Sequence, residues 1–108
     1  MTGIRVQILR WVDDHFPGWV ECSFLDNRGD EHRFVEKAPV VSSDLHAGSP
    51  FPQSGFVGCT VVRRYTAESG RSVVSVDTDQ PWGIESVEGK SRFEVGPEDL
   101  VEWDPPTR

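Results

Sequence analysis

Apolar side chains recur at every second residue along most of this chain, and this alternation limits the fold more than any other sequence feature. Apolar and polar residues alternate clearly over residues 4–8 and 20–24. Residues with a period of two lie on one face of a β-strand, whereas an amphipathic helix needs spacings of three and four. Because no segment shows the helical spacing, the sequence predicts an all-β protein.

Turn residues divide the chain into short strands about ten residues apart. Residues 26–30, 67–71 and 88–90 each contain a glycine and predict hairpin turns. Pro39–Gly55 contains three prolines and predicts one long loop, with a single short turn at residues 43–46. The predicted strands are residues 4–12, 20–24, 32–37, 56–66, 72–79, 84–87, 91–95 and 100–103.

A chain of 108 residues with this many short strands fits one domain around one core. The pattern is typical of an antiparallel barrel or sandwich, and the size favours closure into a small barrel. Pro97 is placed to begin a short 3₁₀ turn before the last strand. We expect the domain to cover residues 1–104 and residues 105–108 to form a frayed tail.

Two resemblances bear on these expectations. The segment Arg92–Val101 resembles the end of SH3-like barrels, where a strand, a tight 3₁₀ turn and a short closing strand follow one another. Residues 16–22, 35–41 and 79–86 are similar to segments of a set of short uncharacterised bacterial proteins. The first resemblance implies an SH3-like barrel. The second implies no activity and transfers no functional residue.

The excess of acidic over basic residues narrows the classes of molecule that the protein is expected to bind. The chain has 11 basic and 18 acidic residues, a net charge of −7, which disfavours nucleic acid as the main partner. The first fifteen residues lack the apolar core of a signal peptide, and no apolar run approaches the ~18 residues of a membrane span. We therefore expect a cytoplasmic protein that binds neither nucleic acid nor membrane.

The residues that commonly carry catalysis or bind metals lack the necessary spacing. Cys22 and Cys59 lie within apolar alternation and predict two reduced, buried thiols. His15, His32 and His46 form no metal-ligand pair with each other or with the cysteines, and His32 is expected to face a carboxylate from its strand. No nucleotide-binding glycine motif occurs. We expect no catalytic residue, metal or cofactor.

The tryptophans and the acidic residues indicate a binding surface instead. Trp11 and Trp103 are expected to cover the ends of the core. Trp82 lies in a Pro-Trp-Gly loop that either presents the indole to solvent or folds it over the core, and Trp19 and Phe51 are further candidate anchors. From Asp77 to Asp104 there are nine acidic and two basic residues, a balance of −7. The candidate binding residues are Trp82, Asp77, Asp79, Glu85 and Glu88.

These observations predict a non-catalytic module that binds a protein or a small ligand, with a basic protein as the expected partner. An alternative is an acidic immunity protein that neutralises a basic toxin, and a basic toxin encoded beside it would favour that reading. A third class, an enzyme, would be revealed by a bound metal or by a deep pocket lined with histidine and carboxylates.

Overall fold

The computed structural model describes residues 1–102, which form seven strands, one short helix and one 3₁₀ turn. No helix in this part of the chain has the length and hydropathy needed to cross a membrane. The elements, in chain order, are β1 (Thr2–Asp13), β2 (Trp19–Leu25), β3 (Glu31–Lys37), α1 (Ala38–Val41), β4 (Gln53–Thr66), β5 (Ser72–Asp77), β6 (Arg92–Val95), the 3₁₀ turn (Pro97–Asp99) and β7 (Leu100–Glu102).

The strands form an antiparallel sheet in the order β3-β2-β1-β4-β5-β6, which curls into a half-barrel. The short strand β7 returns to the start of β1, where Leu100 pairs with Ile4. β4 belongs to both halves of the sheet, because residues 53–59 pair with β1 and residues 60–66 pair with β5. The predicted all-β antiparallel fold is confirmed, including the 3₁₀ turn before the last strand.

The inner face of the sheet holds a single core of apolar side chains. β1 contributes Ile4, Val6 and Ile8 at alternate positions, as its sequence predicts. Phe34 is the largest fully buried residue and stacks on Phe24 at a centroid distance of 5.9 Å. The other buried members are Val20, Cys22, Ala38, Val41, Val57, Cys59, Val74, Val76, Ile84, Phe93 and Val95.

The prediction of a third hairpin is wrong in its first strand. Residues 84–87 pair with no strand among the described residues, although β6 forms as expected and Ser86 and Lys90 close the predicted turn. Ile84 instead binds back to Thr78, whose carbonyl accepts the Ile84 N–H at 3.0 Å. The Val87 N–H donates to the carbonyl of Arg33 on β3. The segment is therefore a loop that connects the two edges of the sheet.

The predicted long loop is shorter than expected at both ends. Residues 38–41 form the one-turn helix α1, whereas the sequence predicted a turn at residues 43–46. Pro39 fits the first turn of α1 because proline fixes a helical φ and an N–H is not needed there. Ala38 and Val41 are buried, so core packing stabilises the helix. The loop proper is residues 42–52, because β4 already begins at Gln53.

The end of the chain agrees with the prediction as far as the structure describes it. Pro97 begins the 3₁₀ turn, and the Asp99 carboxylate accepts the Gly96 N–H at 3.1 Å. β7 then pairs with β1, and the Thr2 hydroxyl donates to the Glu102 carboxylate. The predicted role of Trp103 at the core and the predicted tail at residues 105–108 fall outside the described residues.

Both cysteines are unpaired and buried, as predicted, and their reactivity is a test of the core. Burial raises the pKa of Cys22 to about 12 and that of Cys59 to about 11, and nearby carboxylates add to both shifts. Since the thiolate is the reactive form, a thiol reagent at neutral pH should modify neither residue at an appreciable rate. Both should react fast in denaturant. Rapid labelling of either thiol in the native protein would contradict the packing described above.

Candidate functional site

The candidate site is the loop of residues 78–83 after β5, here called the Trp82 loop. Its first residue, Thr78, is fully buried, and its hydroxyl lies 2.7 Å from the Ile84 carbonyl and 3.2 Å from the Ser91 carbonyl. The Gly83 N–H closes the loop on the Asp79 carbonyl at 2.7 Å. Gly83 has a φ of +65°, which glycine adopts without the steric cost of a Cβ. These bonds fix the loop in one shape.

The loop lies across the outer face of β4. The Thr60 hydroxyl donates to the Gln80 carbonyl at 3.3 Å, and the indole of Trp82 covers Gly58. A Cβ at Gly58 would come within 2.8 Å of the indole carbons, so only glycine allows this approach. Trp82 remains 44% exposed. The indole therefore covers the outer face of the sheet at Gly58 and presents an apolar surface to solvent.

The predicted carboxylates occupy different environments around this loop. Asp77 is half-buried at the end of β5, 3.5 Å from the Nε of Arg92, and its other oxygen accepts the Asp79 N–H at 2.9 Å. Asp79 and Glu85 are exposed on either side of Trp82 in the chain. Glu88 lies on the separate turn of residues 86–90, next to the contact with β3. Asp79, Glu85 and Glu88 form no ion pair with any described residue.

The other aromatic candidates lie elsewhere. Trp19, at the start of β2, is 37% exposed, and the Lys37 ammonium lies 5.8 Å from the centroid of its ring. Phe51 packs edge to face on Trp11 at 6.1 Å, and both rings contact the core. Phe51 therefore supports the core, and Trp11 covers it as predicted.

Sequence reasoning missed the most exposed aromatic side chain described. Phe16 is 98% exposed at the tip of the β1–β2 hairpin. The signal was present in the sequence, where Phe16 stands between polar residues and a Pro-Gly turn. Beside it, Asp13 accepts hydrogen bonds from the backbone N–H and the ring nitrogen of His15. Both bonds lower the pKa of Asp13, and the ring bond raises the pKa of His15. The Asp14 carboxylate lies 3.9 Å from the same ring nitrogen, so both carboxylates are close to the imidazole.

A pocket of about 400 Å³ opens where the two edges of the sheet approach each other, between the β2–β3 turn and β6. We call it the seam pocket. His32 forms part of its wall and is only 8% exposed. Its Nε2 donates to Asp26 at 2.7 Å, so His32 faces a carboxylate as predicted. The His32 ring lies 4.8 Å from the Phe93 ring. The Asn27 N–H donates to the Glu94 carbonyl and ties the turn to β6.

Asp26 organises this seam. Burial raises the pKa of the Asp26 carboxyl. Hydrogen bonds from the His32 ring and from the N–H groups of Arg28 and Asp30 together lower it by more than burial raises it, so the pKa lies below its usual value. A partly buried carboxylate with several donors is a structural anchor, because it holds the turn closed and orients the imidazole.

No family model, curated protein or solved structure matches the chain. The functional inference therefore follows from the residues and their geometry.

Replacement of Asp26 is expected to weaken the fold in a pH-dependent way. Its pKa is lower in the folded chain than its usual 3.8, so its contribution is complete above that value and is lost as the pH falls through the folded pKa. Asp26→Ala should lower the free energy of unfolding at pH 7 by about 2 kcal/mol. Urea titrations at pH 7 and pH 3 measure this effect, and the loss should shrink at pH 3.

The matched control is Asp30→Ala, because the exposed Asp30 side chain accepts no hydrogen bond described in the structure. This variant should unfold within about 0.5 kcal/mol of the parent at both pH values. Equal losses for the two variants would contradict the anchoring role of Asp26.

Proposed function

We propose that this protein is a non-catalytic, cytoplasmic binding module whose Trp82 loop engages a basic protein partner. The observation that carries the proposal is the half-exposed Trp82 indole, seated on Gly58 in a loop held by Thr78. An aromatic side chain that is already fixed loses little conformational entropy on binding. Such residues are typical centres of protein interfaces.

The carboxylates around the loop support a basic partner. Asp79 and Glu85 are exposed and have no ion-pair partner among residues 1–102, so their charge is directed to solvent. Exposed charges at the rim of an interface mainly raise the rate of association, because they attract the opposite charge before contact. Asp77 contributes less of this field, since Arg92 lies beside it.

Three features support a function in binding without catalysis in the cytoplasm. Both thiols are buried with a raised pKa, which makes them poor nucleophiles at neutral pH. The Nε2 of His32 is bound to Asp26, so this nitrogen is less available to react with a substrate. The two unpaired cysteines fit a reducing compartment.

The test begins with affinity capture of a partner from the native host and mass spectrometry of what is retained. A basic protein is expected. If it is a nuclease, loss of its activity on binding would identify the narrower immunity function, in which the acidic surface masks a basic active site. Capture of acidic or neutral proteins only would contradict the proposal.

Trp82→Ala should then raise the dissociation rate and cost about 2 kcal/mol of binding free energy or more. The matched control is Trp19→Ala, which removes an indole of similar exposure from a different part of the sheet and should leave binding unchanged. Surface plasmon resonance measures both rates, and thermal melts check folding. A folded Trp82→Ala variant that binds as tightly as the parent would place the interface elsewhere.

The rim charges should act on the association rate. The pair Asp79→Asn and Glu85→Gln should slow association several-fold at low salt, with a smaller effect at physiological salt because of screening. The control pair, Asp30→Asn and Glu68→Gln, changes the net charge equally at exposed carboxylates away from the loop. Equal effects of the two pairs would show that only the net charge matters.

A further inference from the structure

In the part of the chain that the structure describes, the second half of β4 has a strand on only one of its edges. β1 pairs with β4 as far as Thr2, which lies opposite Cys59, and β5 pairs with β4 from Thr60 to Thr66 on the other edge. Within residues 1–102, no strand lies beside residues 60–66 on the side that β1 leaves open. We call the open side of residues 60–66 the free edge; it faces the space into which β1 would extend beyond Thr2.

The hydrogen-bond pattern shows which backbone groups face this free edge. The Ala67 N–H donates to the Arg71 carbonyl at 2.9 Å, which makes Ala67 and Arg71 a hydrogen-bonded pair. Hydrogen-bonded and non-hydrogen-bonded pairs alternate along an antiparallel ladder. Arg64 and Thr66, opposite Val74 and Ser72, are therefore in non-hydrogen-bonded pairs. Their N–H and C=O groups point away from β5, in the arrangement that an added strand would bind.

The free edge belongs to the β4–β5 hairpin, residues 60–76, which has a positive net charge. From Thr60 to Val76 the chain carries three arginines and one glutamate, a net charge of +2 in a protein of −7. Arg63 and Arg64 are exposed and form no ion pair with a described residue, unlike Arg33, which binds two glutamates. The Arg63 guanidinium stacks on the Tyr65 ring at 4.5 Å, which holds it beside the edge.

We propose that the free edge of β4 binds an extended acidic segment of a partner protein as an added antiparallel strand. Main-chain hydrogen bonds at Arg64 and Thr66 would supply the pairing, and Arg63 and Arg64 would select carboxylates. This surface is centred on Arg63 and Arg64, whereas the Trp82 loop contacts β4 at Gly58 and Thr60, and the two are opposite in charge.

Two other occupants fit the free edge less well. A second copy paired antiparallel through the same edge would bring its arginines against Arg63 and Arg64, and like charges across a strand pair are destabilising. A nucleic acid would meet the arginines, but it would leave the main-chain groups of Arg64 and Thr66 without strand partners.

The test uses the full chain, labelled with ¹⁵N, and a synthetic capped octapeptide of alternating glutamate and valine. Two further peptides serve as controls: one has glutamine in place of glutamate, and one is N-methylated at every amide so that it cannot donate a main-chain hydrogen bond along either edge. Nuclear magnetic resonance titration should shift the amide signals of residues 62–66 with the first peptide, and slow the hydrogen exchange of Arg64 and Thr66. Both control peptides should bind at least about tenfold more weakly.

A pair of variants tests the role of the arginines. Arg63→Gln with Arg64→Gln should weaken binding of the acidic peptide by about tenfold. The control, Arg5→Gln with Arg28→Gln, removes the same charge from exposed arginines on β1 and the β2–β3 turn and should bind like the parent. If the first pair of changes disrupts folding, the peptide controls on the parent chain still decide the question.

Four results would overturn the proposal. These are the absence of shifts at residues 62–66 up to about 1 mM peptide, equal affinity for the N-methylated peptide, shifts of these amides with protein concentration alone, and tighter binding of a mixed-sequence oligonucleotide. The third result would assign the edge to a second copy, and the fourth to a nucleic acid.

Discussion

The pairing of β1 with three other strands is the interaction on which the rest of the structure depends. β4 occupies one edge of β1, while β2 and β7 share the other. The inward side chains of β1 supply three of the core residues, so pairing and burial stabilise each other. The register of β4 on β1 also fixes the position of Gly58, opposite Gly3, and thereby the place where the Trp82 loop can lie.

The strands could be predicted from the sequence because alternation is a local signal of burial, but alternation does not specify a partner. Residues 84–87 show the difference. Ile84 and Ser86 are buried and Glu85 and Val87 are exposed, as in a strand, yet the segment pairs with no strand in the described chain. The Thr78 hydroxyl, whose bond to the Ile84 carbonyl joins residues six apart, decides the outcome. Such a contact has no periodic signature in the sequence.

For the candidate site, as for the strands, the sequence predicted the local features and did not predict the contacts between distant residues. Loop composition left Trp82 either exposed or folded over the core. Strand phase indicated that His32 would face a carboxylate, which is Asp26. The seat of Trp82 on Gly58 was not predictable, because it joins residues 24 positions apart and depends on the absence of a side chain. The pairing of Asp77 with Arg92 was missed for the same reason, since it depends on the register of β5 and β6.

The strand β5 separates two regions of opposite charge. Arg63 and Arg64 lie opposite Ser75 and Val74, and the acidic Trp82 loop follows the end of β5 at Asp77. Two or three residues of extended chain span roughly 7–10 Å. At physiological salt the Debye length is about 8 Å, so the field of one region is partly screened at the other. The net charge of −7 is thus a poor guide to either surface. A basic and an acidic partner could each meet a favourable local field on the same small sheet.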